Sequence, residues 1–327
     1  VSNEPKSEIA AISEEAWRAT AKLAKSAGKY PPPVALDTIA QDLSIECIRF
    51  APIVSDAGLA KVSEGFQIVI NTEASSVSYP SGTRLLTNAG QWSRLPATLR
   101  FTVAHEIAHV IFLRAANSDQ KRDLFQKNER AVEHCCSILA RMLLLPSELL
   151  VRELAGGLFD PRVIADVCAR CQVSPEVFIR RFHISDMGDQ YRDANGFVAF
   201  VREAHAEASI KACHIFGVLA RDRFHRALEK DGQAAKPRTK HRSLSDSYAQ
   251  PKWAMEGRLL SDLQLSQQFE LSLGNGFSGP IGFDADWGSG KVIPCSFSAC
   301  RTNEPSGVLL CVKVLGPVQG RDERVLL

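Results

Sequence analysis

His105 and His109 stand four residues apart, with Glu106 directly after the first. On an α-helix that spacing projects both imidazoles from one face, one turn apart, so that both can reach a single ion. Zinc brings the pKa of a water toward neutrality, and Glu106 would take that proton as the oxygen attacks a polarised peptide carbonyl. The spacing therefore points to hydrolysis of a peptide bond, with Glu106 as the catalytic base. A pattern of this kind arises by chance in on the order of one chain in a hundred of this length, so its setting matters. Here the setting is apolar: Phe101, Ala104, Ala108 and Phe112 place the helix in an interior.

A catalytic zinc takes three protein ligands and leaves a fourth position open. The third donor is sought on the helical run from Glu129 to Leu145, which Pro146 closes. Glu133 is the first choice, because Cys136, Ser137, Ala140 and Leu144 share its face, and a carboxylate on a small, mostly apolar face needs a partner. Glu129, one turn earlier, is the alternative, and His134, about a quarter-turn away, is a weaker one. One zinc per chain is expected, with manganese as the alternative ion.

Other elements must hold these two helices. Glu14 to Ala27 has apolar residues at helical spacing, stopped by Gly28 and Pro31-Pro32-Pro33. A short helix is predicted over Val34 to Leu43, and strands over Ser44 to Phe50 and Gly65 to Asn71. Thr72 to Trp92 reads as a surface loop, and Pro96 opens the helix that runs to Leu113. Beyond Pro146, Asp160-Pro161 and Ser174-Pro175 each start a short helix, with a break around Gln172-Val173. From Tyr191 the pattern changes to a strand over Gly196 to Val201, a helix over Glu203 to Lys230, a polar linker over 231–252, and strands over Lys291 to Phe297 and Val308 to Leu315. The fold class is α+β: a peptidase core over 1–150, a helix-turn-helix-like segment over 151–190, and a separate carboxy-terminal α+β domain over 191–327.

The 327 residues suffice for two or three domains. Hydrophobic residues make up 45% and charged residues 23%, which excludes a disordered, collagenous or wholly membrane-embedded chain. The formal net charge of +2 demands no nucleic-acid partner. No apolar run approaches the roughly 20 residues of a membrane helix, and Val1 to Ala10 lacks the apolar core of a secretory signal. Nine cysteines, an odd number with Cys135 and Cys136 adjacent, fit reduced thiols rather than a disulfide framework. A cytoplasmic protein without a membrane partner is the expectation.

The stretch Arg100-Phe101-Thr102-Val103-Ala104-His105-Glu106-Ile107-Ala108-His109 resembles the R-F-T-x-A-H-E-x-x-H signature of the ImmA/IrrE family of gluzincin-like zinc metallopeptidases. Glu133 to Pro146 resembles that family's E-x-x-A-x-x-F-A-x-x-L-L-M-P helix, and Pro32-Pro33-Val34 with Ile39-Ala40 its P-P-V-x-x-x-x-I-A lead-in. The resemblance covers Glu14 to Ser185. It implies a zincin-like fold, His105, His109 and Glu133 as ligands, Glu106 as base, and a helix-turn-helix transcriptional repressor of stress-response, phage or mobile-element genes as substrate. Three positions depart from the pattern: Cys136 stands for the usual alanine, Leu139 for phenylalanine and Leu145 for methionine. By analogy with relatives that add such domains, the carboxy-terminal domain would be a GAF-like sensor.

The helices from Asp160 to Ile184 offer only Arg180, Arg181 and His183 to DNA, which favours a structural or repressor-docking role over base reading. Cys168-x-x-Cys171 has no second pair and reads as core packing. Gly288-Ser289-Gly290-Lys291 lacks the first glycine and the hydroxyl residue of a phosphate loop, which excludes nucleotide hydrolysis of that type. The basic stretch Lys236 to Arg242 leaves room for single-stranded DNA, or a small molecule at the last domain, as an activator. The competing reading is a peptidase-like module that sequesters a repressor or responds to DNA without cutting.

Overall fold

The computed structural model describes residues 4–72, 85–86, 89–116, 128–154, 160–181, 196–202, 214–216, 277–286, 291–303, 306–314 and 319–320. The chain divides into two compact units, one of Val1–Glu153 with Cys168–Arg181, the other of Leu154–Val167 with Phe182–Leu327.

In the first unit, helix α1 spans Glu4–Ala27 and buries Ile9, Ile12, Ala16, Thr20 and Ala24 along one stripe. The stripe starts before Glu14, which is why the helix begins earlier than its carboxy-terminal half alone predicts. It ends at Gly28, where a Cβ would sit 2.9 Å from the Pro146 Cβ, so only glycine allows this approach. Helix α2 (Leu36–Asp42) leads into strand β1 (Ile45–Ala51), followed by β2 (Ala57–Lys61), β3 (Phe66–Asn71) and β4 (Leu85–Leu86). The sheet order is β2-β3-β1-β4; β1 and β3 are parallel, and β2 and β4 join antiparallel. β1 and β3 carry the branched apolar residues that favour strands, and Ile48, Ile68 and Ile70 are buried. β2, Ala-Gly-Leu-Ala-Lys, has no such signal and owes its state to pairing with β3.

The loop expected over Thr72 to Trp92 needs correction. Leu85–Leu86 is a strand and helix α3 (Ala89–Trp92) follows; Leu86 and Trp92 are buried, and the Trp92 indole N–H donates to the Leu86 carbonyl at 3.2 Å. An indole that must bury its ring and satisfy its N–H anchors a segment that composition reads as surface.

Helix α4 (Ala97–Ala115) packs against α1, β2 and β3. Its Arg100 is 1% exposed and donates from Nη2 to the Val34 carbonyl at 2.7 Å. The signature arginine thus ties the motif helix to the segment after Pro32-Pro33. Burial pushes its guanidinium down to about 10. Helix α5 (Glu129–Leu144) packs on α4 and α1, and α6 (Ser147–Glu153) resumes beyond Pro146, a helix that the sequence pattern does not announce.

Helices α7 (Pro161–Cys171) and α8 (Pro175–Arg181) break at Gln172, whose φ is 53°. α8 packs against α5 and buries Pro175, Val177, Phe178, Ile179 and Arg181. Arg181 is 1% exposed, and its guanidinium donates to the Leu145 carbonyl at 2.8 Å and to Ser147 Oγ at 2.9 Å. It satisfies the open end of α5, and of the three basic residues counted toward DNA only Arg180 is exposed among the described residues, His183 lying outside them.

The second unit contains β5 (Gly196–Arg202), β6 (His214–Phe216), β7 (Phe277–Asp286), β8 (Lys291–Asn303), β9 (Ser306–Val314) and β10 (Gln319–Gly320). They form an antiparallel sheet of order β10-β8-β9-β5-β6, with β7 also on β8. Val198 faces Cys311 and Phe200 faces Leu309 across β5 and β9, and all four are buried. The helix expected over Glu203 to Lys230 is corrected at its described residues: His214–Phe216 pairs with Phe200–Arg202 as a strand, and the rest of that stretch lies outside the described residues. A β-branched and an aromatic residue opposite a strand edge favour pairing over helix propagation. The linker over 231–252, the basic stretch Lys236 to Arg242 and Gly288 to Gly290 lie outside the described residues. No single described helix is long and apolar enough to cross a membrane.

Candidate metal centre

α4 is buried nearly all round, with Val103, Ala104, Ile107, Ala108, Val110, Ile111 and Phe112 in the core. This packing fixes the turn that carries His105 and His109, whose rings lie 4.8 Å apart at 75°. Phe101 stands 6.2 Å from the His105 ring, and the Arg141 guanidinium of α5 lies over Phe101 at 5.7 Å.

The two helices bring three ligand side chains together. His109 Nε2 is 3.1 Å from His105 Nε2; Glu133 Oε2 is 2.9 Å from His105 Nε2, and Oε1 is 3.2 Å from His109 Nε2. Tetrahedral donors about 2.0–2.1 Å from zinc are roughly 3.3–3.4 Å apart, so the three atoms surround a point that an ion of this size can fill. Two neutral imidazoles facing through Nε2 share one proton at best, whereas a cation at that point satisfies both lone pairs and the carboxylate. The donor set of two imidazoles and a carboxylate suits zinc.

Glu133 is not a buried carboxylate; its side chain is 51% exposed, at the mouth of the site. Among the described residues, the group whose geometry could hold an ion is His105, His109 and Glu133, their ligand atoms within 4.8 Å of one another, and Glu129 is not part of it. Glu129 instead lines a cavity of about 540 Å³ with Leu59, Glu106, His109, Phe112, Leu113, Val132 and Glu133. His134 stays outside the ligand group, and burial lowers its pKa.

Glu106 is 7% exposed, and burial, with Glu133 nearby, pushes its carboxyl up to about 7 in the metal-free protein. Burial and the neighbouring His105 push His109 down. Behind the ligands, Cys136 Sγ lies 3.4 Å from His109 Nδ1, and Ser137 Oγ 3.4 Å from His105 Nδ1. Burial raises the Cys136 thiol far above its ordinary value, so it is a neutral neighbour and not a thiolate donor. Leu59, Leu113 and Val132 were not singled out by the sequence; β2, which brings Leu59 to the cavity, had no strand signal of its own. Cys47, Cys135, Cys136, Cys168, Cys171, Cys300 and Cys311 are free thiols.

Comparison with known proteins locates the homology in these helices. Residues 94–183 match the Peptidase_M78 family model, described as the IrrE N-terminal-like domain. With the His/His/Glu cluster, this match supports family-level homology to metallopeptidases. No curated protein matches the chain. Among solved structures, a Mycobacterium tuberculosis transcriptional regulator is similar at 12% identity and a TM-score of 0.41, over 93% of this chain and 80% of that one.

Proposed function

We propose that the chain is a zinc-dependent endopeptidase that cleaves a helix-turn-helix transcriptional repressor and so releases repressed genes. The observation that carries this is the convergence of His105, His109 and Glu133, with Glu106, a buried carboxyl, lining one cavity together with His109 and Glu133. His105, His109 and Glu133 would hold the ion, which when bound supplies a Lewis acid that acidifies water and polarises a carbonyl.

The remaining chemistry belongs to this chain's side chains. Glu106 takes a proton from the attacking water and returns it to the departing amine, the double task of a general base and general acid. Phe112, Leu113, Val132 and Leu59 give the cavity apolar walls that seat a substrate side chain and keep bulk water from the reacting carbonyl. Residues 1–150 would form the peptidase domain, residues 151–190 a docking segment for the repressor, and residues 191–327 a sensor that admits single-stranded DNA or a small molecule as activator.

Glu106→Gln tests the assignment. The variant should retain zinc at one equivalent and lose cleavage of a co-encoded repressor, read by gel and mass spectrometry. Cleavage at the wild-type rate would remove Glu106 from the reaction. Stoichiometric zinc in the wild type with no cleavage of any such repressor, with or without single-stranded DNA, would instead make the chain a binding module.

A further inference from the structure

We propose that Cys136 and Ser137 are positioning residues of the metal centre, each accepting the Nδ1–H of one ligand histidine so that both Nε2 lone pairs face the ion. This rests on the reading of His105, His109 and Glu133 as ligands. Glu133, Cys136 and Ser137 occupy positions i, i+3 and i+4 of α5 and therefore one face. That face meets the histidine face of α4: Cys136 Sγ is 3.4 Å from His109 Nδ1, and Ser137 Oγ is 3.4 Å from His105 Nδ1.

A neutral imidazole carries one proton on two nitrogens. Binding an ion through Nε2 places the proton on Nδ1, which then needs an acceptor. With Nδ1 as donor, the thiol and the hydroxyl each accept through a lone pair, and each ring is held against rotation about its Cβ–Cγ bond. The opposite arrangement, in which the thiol or hydroxyl donates to Nδ1, puts the proton on Nε2 and blocks the ligand atom. One turn of α5 thus supplies a ligand and orients the other two. Cys136 is the more informative of the pair, because the signature that α5 resembles has alanine there, which can accept no hydrogen bond. Cys136 is fully buried, whereas Ser137 is partly exposed and can share its task with water.

The full-length chain and its Cys136→Ala, Cys136→Ser, Ser137→Ala and Ser137→Thr variants would be titrated with zinc against a chromophoric chelator. Loss of an outer-shell partner costs roughly 10–100-fold in metal affinity, so Cys136→Ala and Ser137→Ala should each weaken zinc by at least about tenfold. Cys136→Ser and Ser137→Thr, which keep an acceptor, should recover most of the loss. Nitrogen-15 spectra of the zinc-loaded wild type should show both ligand imidazoles protonated at Nδ1. Thermal unfolding of the metal-free forms separates packing from positioning: a lower melting temperature with unchanged zinc affinity would overturn the proposal. Alanine variants that all bind zinc as the wild type does would overturn it too, while leaving the metal centre in place. If Cys136→Ala fails to fold, the partly exposed Ser137→Ala carries the same comparison. Failure of the wild type to bind zinc would overturn both this proposal and the ligand assignment beneath it.

Discussion

Helices α4 and α5 each bring a carboxylate close to the two histidines, Glu106 and Glu133, but from opposite environments. α4 is apolar on nearly every side, and its Glu106 is 7% exposed; α5 is amphipathic, and the Glu133 side chain is 51% exposed. A carboxyl ligand must be ionised to hold a cation, and an anion costs least where water still reaches it. A base must hold its proton and give it back, which burial favours by raising proton affinity toward neutral pH. In the proposed roles, burial more than residue type separates the two glutamates.

Four experiments would break or sharpen that division. The largest expected effect is from Glu106→Gln, which should lower kcat by on the order of 10⁴-fold with zinc content unchanged, measured as repressor cleavage at saturating substrate. Glu133→Ala should do the reverse, weakening zinc by more than the roughly 100-fold upper range of outer-shell changes, measured by chelator competition. If Glu133→Ala keeps its zinc and Glu106→Gln loses it, the two roles are exchanged.

The third is a pH effect on the metal-free protein. The Glu106 carboxyl is raised from 4.5 to about 7 on folding, so between those values the native state holds a proton that the unfolded chain has released. Stability from this group is full below about pH 4.5 and is lost as pH rises through about 7, a difference of at most about 3 kcal/mol. His109, whose pKa is lowered, works in the opposite direction: its contribution is present above its ordinary value and lost as pH falls. The informative quantity is therefore wild type against Glu106→Gln in urea unfolding with chelator present. The variant should gain on the wild type from pH 5 to pH 8; no relative gain would mean that Glu106 is not desolvated. The smallest effect is expected from Glu129→Gln, on the exposed side of α5, with zinc affinity within about threefold of wild type. A loss as large as that of Glu133→Ala would move the third ligand one turn back.

Helices α4 and α5 were legible because their chemistry is local: a four-residue spacing, an apolar run and a terminating proline are written in consecutive residues. Their coming together was legible only in part. The small, mostly apolar face of Glu133 led to the expectation of a buried carboxylate, whereas its side chain is 51% exposed; nothing local distinguishes the exposure of Glu133 from that of Glu106. β2 and β4 escaped because Ala57–Lys61 and Leu85–Leu86 have almost no strand propensity and exist through pairing with β3 and β1. Trp92 was the missed signal in its loop, a large ring that seldom remains in solvent. Arg100 and Val34 belong to two motifs recognisable separately in the chain, and the hydrogen bond between them is a tertiary event.

The guanidinium of Arg181 beneath the last turn of α5 bears on how the molecule can be cut. The stretch Cys168–Arg181 belongs with Val1–Glu153, although Leu154–Val167 between them belongs elsewhere. A fragment stopping at Glu153 would leave the Leu145 carbonyl and the apolar surface under Phe178 and Ile179 uncovered. A fragment that keeps the end of α5 covered therefore extends through Arg181, and one ending at Glu153 should melt at a lower temperature than one ending at Arg181.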